Sequence, residues 1–200
     1  MKKFVVKVLP VLFICLVFFN ALVVSATESP DEAAAEDITE NIDISYDGNT
    51  IKISSEKVLG GLYIEWSSLP GSWTLFDGKS EIAYGEKGFL HEYVEINSGS
   101  RYVEIRRVKD VPANKIYAFT EGKLPDWVQV WDKPCDKADL MLCTTHADDE
   151  QLFFLGVLPY YAGELELNVQ VVYFVNHNDS ESRPHELLNG LWTVGVRNYP

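Results

Sequence analysis

The sequence is poor in cysteine, and this excludes a fold held together by several disulfides. Among its 200 residues there are 3 cysteines, and one of them, Cys15, lies in an apolar run near the N-terminus. The other two, Cys135 and Cys143, are too few for the disulfide framework of a small secreted domain. We expect both to be free thiols, with Cys143 buried in an apolar strand and Cys135 in a loop.

Positive charge is also scarce, because 17 Lys and Arg residues stand against 30 Asp and Glu residues and the formal net charge is −13. Nucleic acid and anionic membrane surfaces attract basic proteins, so both are disfavoured as the main partner. The apolar share of 46% and the charged share of 24% exclude a disordered, collagen-like or coiled-coil chain. We therefore expect a folded protein with a sizeable core.

The N-terminal run of apolar residues, over 8–24, has the features of an export signal. Lys2 and Lys3 precede it, and small residues follow at 24–26, where signal peptidase cleaves. The run is near the lower length limit for crossing a bilayer and contains Pro10 and Asn20, which favours cleavage over retention as a membrane anchor. We predict a signal peptide at residues 1–26, a secreted or cell-envelope location, and membrane contact only through an uncleaved signal.

Two further changes in composition divide the rest of the chain. Residues 27–41 carry six acidic and no basic side chains, which predicts an acidic, solvated linker. Residues 42–132 contain short runs in which apolar and polar residues alternate, separated by turn signals such as Asp47-Gly48. This pattern is typical of an all-β antiparallel sandwich.

The pattern changes again after Pro134. Residues 138–145 form a nearly continuous apolar run, which predicts a strand buried on both faces of a parallel sheet. Helices are predicted over 149–162 and 184–194, the second with Gly195 as its C-terminal stop, and a second buried strand is predicted over 168–175 between them. This β-α-β-α order predicts the beginning of an α/β domain. Since two strands cannot bury both faces of a sheet, we expect the chain to be the N-terminal part of a longer protein.

The residues with the most distinctive chemistry follow the first of these strands. His146, Asp148, Asp149 and Glu150 lie at its carboxyl end, where ligands bind in open α/β folds. One Asp at this position serves as an ordinary helix cap, but capping does not explain a His two residues before an Asp pair. His nitrogen and carboxylate oxygen are both common ligands of zinc. The side chains of the adjacent residues Asp148 and Asp149 are expected to point in different directions. One Asp is therefore placed to bind metal and the other to act as a general base.

The segment His146-Ala147-Asp148-Asp149-Glu150 resembles the His-Pro-Asp-Asp-Glu signature of the PIG-L/LmbE family of N-acetylglucosaminyl deacetylases. The resemblance implies a Rossmann-like α/β fold and a zinc ion (Zn²⁺) that serves to remove acetyl from an N-acetylglucosamine unit. It also implies that His146 and Asp149 are metal ligands, that Asp148 is the general base, and that Glu150 supports them.

A second element of the same family has a counterpart after the second strand. Arg183-Pro184-His185-Glu186-Leu187 is similar to the family's Arg-x-x-Glu-Leu element, which implies that Arg183 reaches the substrate. The resemblance covers residues 138–200, the expected N-terminal part of a deacetylase domain. Ala147 replaces the family's Pro, and the third zinc ligand of the family, a His from a much later loop, has no counterpart in these 200 residues. We expect this chain alone to bind zinc poorly and to be nearly inactive.

Other residues carry weaker signals. His177 follows the second strand, so it either reaches the site or lies in a solvated loop. We predict that His185 is exposed in the first turn of its helix and that His91 is structural. In the β-rich region, which weakly resembles discoidin/galactose-binding-like sandwiches, Trp73 is the best candidate for stacking on a sugar ring.

These features together predict a two-domain protein, an antiparallel sandwich followed by the first β-α-β-α units of a Rossmann-like domain. The expected function is an exported, zinc-dependent N-deacetylase that acts on an N-acetylglucosamine-containing glycan or glycoconjugate. The alternative is a non-catalytic secreted carbohydrate-binding protein. In a further alternative, the sandwich only spaces and shields the α/β part.

Overall fold

Alternating apolar and polar residues build antiparallel strands over much of the chain. The computed structural model describes residues 33–86, 88–106, 113–175 and 180–200, so the predicted signal peptide lies outside the described residues. The strands described between residues 42 and 119 are β1 Ile42–Asp47, β2 Thr50–Ser55, β3 Gly61–Trp66, β4 Trp73–Phe76, β5 Glu81–Tyr84, β6 His91–Glu95, β7 Tyr102–Arg106 and β8 Ala113–Phe119.

These strands form two antiparallel sheets, one with the order β1-β2-β7-β4-β5 and one with the order β6-β3-β8. The inward side chains of both sheets meet in one apolar core, because residues of one strand face alternate sides. Ile53 and Ile105 of the first sheet and Leu62 and Ile64 of the second are fully buried there. The antiparallel strands that the alternation predicts are therefore present. Val128 and Val130 are an exception, because they alternate with other residues in the predicted β-rich region but lie outside any strand.

The end of the predicted linker packs against the β-rich region. Ile38 is completely buried in the apolar core, directly after isolated bridges that join Ala34 to Lys123 and Asp37 to Phe119. A short 3₁₀ helix, Thr39–Asn41, follows it and leads into β1. Burial of this one Ile, which contributes about 1.5–3 kcal/mol, acts together with the bridges to hold the segment.

The C-terminal part contains one parallel strand pair. Strand β9, Leu140–Thr144, pairs with β10, Val169–Tyr173, so that Leu140 lies opposite Val169. Helix α1 is Asp149–Leu152, a π-helical segment covers Pro159–Glu164, and helix α2 is Ser182–Thr193.

The prediction of a Rossmann-like α/β domain is wrong. Strands make up 37% and helices 17% of the described structure, and the larger sheets are antiparallel. Instead of the predicted helix over 149–162, α1 ends at Leu152 and the π-helical segment begins at Pro159, where a missing N–H is tolerated; Gly156 lies in the break between them. The apolar residues Phe153 and Leu155 consequently remain exposed.

The burial of strand β9 also differs from the prediction. Leu140 and Leu142 pack into a small apolar core with α2, but the opposite face of the strand is open and Met141 and Cys143 are exposed. Cys143 is therefore an exposed thiol and not a buried one, whereas Cys135 is half-buried. A nearly continuous apolar run predicted burial on both faces, but α1 is too short to cover the second face.

Helix α2 joins the two parts of the chain, and residues Ala33–Pro200 form one compact unit. Leu191 and the half-buried Leu187 lie in the core against β9 and β10, while Trp192 donates its indole N–H to the carbonyl of Asp126 at 2.7 Å. Gly195 follows the helix with a φ of +93°, as its predicted role as C-terminal stop requires. Within the described ranges, no helix is long and apolar enough to cross a membrane.

Candidate metal and acid–base site

The candidate site lies where the chain leaves strand β9. The strand ends at Thr144, and the backbone N–H groups of Phe174 and Val175 donate to the carbonyls of Thr144 and Thr145 at 3.0 and 2.9 Å. These bonds extend the parallel pairing past the ends of both strands. The loop that carries His146 therefore starts from the carboxyl ends of two parallel strands, as the sequence predicts.

Asp149 and His146 approach each other at the start of α1. The Asp149 Oδ2 atom accepts hydrogen bonds from the backbone N–H of Thr145 at 3.1 Å and of His146 at 2.8 Å. The Nδ1 atom of His146 lies 3.8 Å from the same oxygen. Two ligand atoms of one zinc ion are at most about 4.2 Å apart, because each bond is about 2.1 Å long. These two donor atoms are therefore close enough to share one cation.

Asp148 occupies the N-cap position of α1 but does not cap it. Its φ of +140° lies outside the regions that non-glycine residues ordinarily adopt, and its side chain makes no capping hydrogen bond. Its Oδ2 atom instead accepts a hydrogen bond from Arg183 Nη2 at 2.6 Å. The simple capping explanation therefore fails for Asp148, whose carboxylate is turned toward helix α2.

Arg183 connects α2 to this loop. The same Nη2 atom donates to the carbonyl oxygen of Ala147 at 2.6 Å, and Nη1 lies 3.5 Å from Glu186. The hydrogen bond to Asp148 raises the pKa of the guanidinium above its usual value, so the group stays charged. Arg183 thus lies next to Asp148, the general-base candidate, and its contact with a substrate stays a prediction.

Glu150 is a buried residue that binds the backbone of the loop. Its side chain is only 2% exposed, and its Oε2 atom accepts a hydrogen bond from the backbone N–H of Asp148 at 3.1 Å. Its Oε1 atom and the hydroxyl of Thr144 are buried without a hydrogen-bond partner among the described residues. Burial, and secondarily the charge of Glu150, raise the pKa of the Tyr173 hydroxyl above its usual range. Because the Glu150 carboxylate accepts the backbone N–H of Asp148, it holds the backbone of Asp148 in its unusual conformation.

The remaining histidines do not complete the site. His177 lies outside the described residues, so the structure does not test whether it reaches the loop. His185 is half-buried rather than exposed, and its ring packs against that of His91. Across the described part of the chain, no three His, Cys, Asp or Glu side chains are grouped closely enough to hold a metal.

Trp73 is not a sugar-binding residue. Its side chain is 1% exposed, and its ring stacks on Tyr84 with a centroid distance of 4.8 Å and also contacts Trp66. A ring that is enclosed on both sides cannot stack on a ligand. The sequence placed Trp73 beside a Pro-Gly turn, but it is also the first residue of a strand in the central core.

Sequence reasoning missed the contact between α2 and the β-rich part. Asn189 accepts a hydrogen bond from Gln129 at 2.6 Å, and the rings of Trp192 and Trp131 meet at 5.4 Å. His185, Asn189 and Trp192 are four and three residues apart, which is the spacing of one helical face. That spacing was the available signal for a second packed face on α2.

Neither a protein-family model nor a curated protein matches this chain. The roles of His146, Asp148, Asp149 and Arg183 therefore rest on their motif and on the contacts described above. Of these contacts, the ion pair between Asp148 and Arg183 joins residues that are 35 positions apart. It is the contact that brings both parts of the motif into one site.

Proposed function

We propose that the chain is part of an exported, zinc-dependent deacetylase that hydrolyses the N-acetyl group of an N-acetylglucosamine-containing glycan or glycoconjugate. The observation that carries this proposal is the convergence of His146 Nδ1 and Asp149 Oδ2 to 3.8 Å, with the neighbouring Asp148 turned away toward Arg183. One acidic residue is thus available for a cation and the adjacent one for proton transfer, which is the division of roles that amide hydrolysis at a metal requires.

Two of the protein ligands that a catalytic zinc ion requires are close together. His146 and Asp149 would supply an imidazole nitrogen and a carboxylate oxygen, and a third donor would come from outside the described residues. Zinc held there supplies Lewis acidity, which polarises a carbonyl and makes water more acidic. The backbone N–H groups that donate to Asp149 Oδ2 orient its carboxylate, as partners of a ligand commonly do.

Asp148 accepts a proton from the attacking water in this proposal. Its Oδ2 atom is engaged by Arg183, which leaves Oδ1 to accept the proton. Glu150 accepts the backbone N–H of Asp148 and Arg183 binds its side chain, so the carboxylate is oriented before substrate binds.

The bond changes balance without a further reactant. The water oxygen bonds to the acetyl carbon, and the bond between this carbon and the sugar nitrogen breaks. The proton that Asp148 accepted passes to the departing nitrogen, and the second proton of the water stays on the acetic acid formed until it passes to the amine or to solvent, so that acetate and a free amino sugar result. Arg183 has further N–H donors beyond those bound to the loop, and these are suited to a sugar hydroxyl near the reacting group.

The test is acetate release from N-acetylglucosamine oligomers in the presence of zinc, measured on the full-length protein of which this chain is proposed to be part. We expect the Asp148→Asn variant to lose activity, because an amide cannot accept the proton. Asp136→Asn is the matched control, since Asp136 is an exposed loop acid that pairs only with Lys133 among the described residues. Equal, measurable rates for the unaltered full-length protein and its Asp148→Asn variant would contradict the mechanism.

A further inference from the structure

Four side chains form a chain of hydrogen bonds between the β-rich part and helix α2. The indole Nε1 of Trp131 donates to Gln129 Oε1 at 3.2 Å, and Gln129 Nε2 donates to Asn189 Oδ1 at 2.6 Å. The Nδ2 atom of Asn189 lies 3.0 Å from Nε2 of His185, one helical turn away. All four residues are half-buried. Because Gln129 and Trp131 lie between β8 and β9, the chain crosses from that segment to α2.

The direction of this chain is fixed at its Trp131 end. An indole N–H donates and cannot accept, so the Gln129 atom that faces it must be the carbonyl oxygen. The amide nitrogen of Gln129 then faces Asn189, which must present its own oxygen there and its nitrogen to His185. Since an amide nitrogen only donates, Nε2 of His185 must accept. The neutral ring therefore carries its proton on Nδ1.

A protonated His185 does not fit this chain. Both ring nitrogens of an imidazolium donate, so Nε2 would face the amide nitrogen of Asn189, which is another donor. Turning over the amides of Asn189 and Gln129 only moves the mismatch to the indole of Trp131, which has no acceptor to offer. Protonation of His185 therefore costs one hydrogen bond of the chain, wherever the mismatch comes to lie.

The groups around the His185 ring also favour its neutral form. Burial and the neighbouring His91 on β6 lower the pKa of His185, whereas Glu186 on α2 and Glu65 on β3 raise it, and the net shift is downward. Burial lowers the pKa of His91 as well. The form of His185 that the hydrogen-bond geometry requires is thus the form that its surroundings stabilise.

We propose that Gln129 and Asn189 are positioning residues that act through a neutral His185. Their hydrogen bonds hold α2 against the β-rich part, and the first turn of the same helix carries Arg183, which lies 2.6 Å from Asp148. A proton on His185 breaks the match and loosens α2, so the contact of Arg183 with Asp148 weakens. The importance of this contact for catalysis rests on the proposed function, whereas the hydrogen-bond chain does not.

NMR correlation of ring nitrogens with ring protons in the full chain measures the tautomer of His185, with His185→Gln to assign its signals. At pH 7.5 we expect the form with the proton on Nδ1 to exceed the form with the proton on Nε2 by about tenfold, the effect of one hydrogen bond. Asn189→Ala should abolish this preference. A proton on Nε2 in the unaltered chain, or an unchanged preference in folded Asn189→Ala, would overturn the proposal.

Gln129→Glu should reverse the chain. A carboxylate has no donor, so Asn189 must turn its nitrogen toward position 129 and its oxygen toward His185. We then expect the neutral His185 to carry its proton on Nε2, and Asn189→Ala in the same chain should remove this reversal. If Gln129→Glu does not fold, Asn189→Asp presents a carboxylate directly to the ring and should give the same tautomer.

Asn97→Asp is the matched control, because it adds the same charge at an exposed position after β6. It should leave the tautomer of His185 unchanged. The proposal fails if the folded Gln129→Glu or Asn189→Asp variant keeps the proton on Nδ1, or if the control changes the tautomer as much as they do.

The same spectra test the positioning of Arg183. On acidification, the side-chain N–H signals of Arg183 and the indole signal of Trp131 should shift with the midpoint of the His185 titration, and His185→Gln should remove this shift. Arg183 signals that do not follow His185 would overturn the positioning role. These measurements involve neither zinc nor turnover. Their failure therefore leaves the deacetylase proposal untouched, and an inactive full-length protein leaves their result untouched.

Discussion

The imidazole ring of His185 on α2 packs against that of His91 on β6, with the ring centroids 4.2 Å apart and the planes inclined by 56°. Burial lowers the pKa of both groups below the usual value, and for His185 the neighbouring His91 lowers it further. Glu186 and Glu65 act in the opposite direction on His185. This contact joins the β-rich part to the helix that carries Arg183, so it helps to place the proposed substrate-binding residue.

The lowered pKa values predict that the protein loses stability on mild acidification. Between the lowered folded pKa values and about 6.5, the unfolded chain binds more protons at these two histidines than the folded chain does. The free energy of unfolding is therefore highest above this range and falls as the pH decreases through it. Urea unfolding at pH 7.5 and pH 5.5 measures the difference.

Variants locate the effect. His185→Gln should reduce the loss of stability between these pH values, because the buried group that must gain a proton is absent. His91→Gln should reduce the loss likewise, since burial lowers the pKa of that ring as well. A pH dependence that is the same in His185→Gln as in the unaltered chain would rule out this explanation.

Zinc binding should depend on His146 and Asp149 and not on Asp148. We expect His146→Ala and Asp149→Ala to lower zinc affinity by about tenfold or more, since each removes a proposed ligand. Asp148→Asn should leave the affinity nearly unchanged, because Asp148 pairs with Arg183 instead. Calorimetric titration of chelator-treated protein distinguishes these roles. If Asp148→Asn abolished binding and Asp149→Ala did not, the two assignments would have to be exchanged or abandoned.

Glu150 should contribute more to stability than other acidic residues. Glu150→Ala removes the acceptor for the Asp148 N–H and leaves a hole at a site that is 2% exposed, so we expect a loss of about 2–4 kcal/mol in the free energy of unfolding. Urea denaturation measures it. The control is Glu164→Ala at an exposed position of the π-helical segment, which should change stability by less than about 0.5 kcal/mol. Similar losses in both variants would show that Glu150 has no special structural role.

Gly195 should not tolerate a side chain. Its φ is +93°, and an added Cβ would lie 2.6 Å from the Cα of Gly163. We expect Gly195→Ala to cost about 1–3 kcal/mol, observed as a lower Tm. Gly156→Ala is the control, because nothing lies within 4 Å of its added Cβ. An unchanged Tm for Gly195→Ala would mean that α2 and the π-helical segment can separate without loss.

Local patterns predicted the parts of the fold that depend on neighbouring residues. Alternation identified strands such as β2 and β7, and Gly195 marked the end of α2. The prediction of one helix over 149–162 was wrong because the apolar pattern does not show which element packs against the apolar residues. Gly156 and Pro159 were visible in the sequence, and they lie in the break after α1 and at the start of the π-helical segment.

Trp73 illustrates the same limit within the β-rich part. A Trp beside a turn suggested an exposed ring, but its position as the first residue of β4 places it in the core. The direction of a side chain at the end of a strand depends on the pairing register, and the register depends on partners far along the chain.

By itself, the sequence determined where strands form, where a His and two adjacent Asp residues follow a strand, and where helix α2 stops. These properties depend on contacts within a few residues. Only the tertiary structure decided that Asp148 meets Arg183, that α2 packs against β6, and that one face of β9 is open. Such contacts depend on which surfaces are left to pack together once the strands have paired, and no local pattern encodes that.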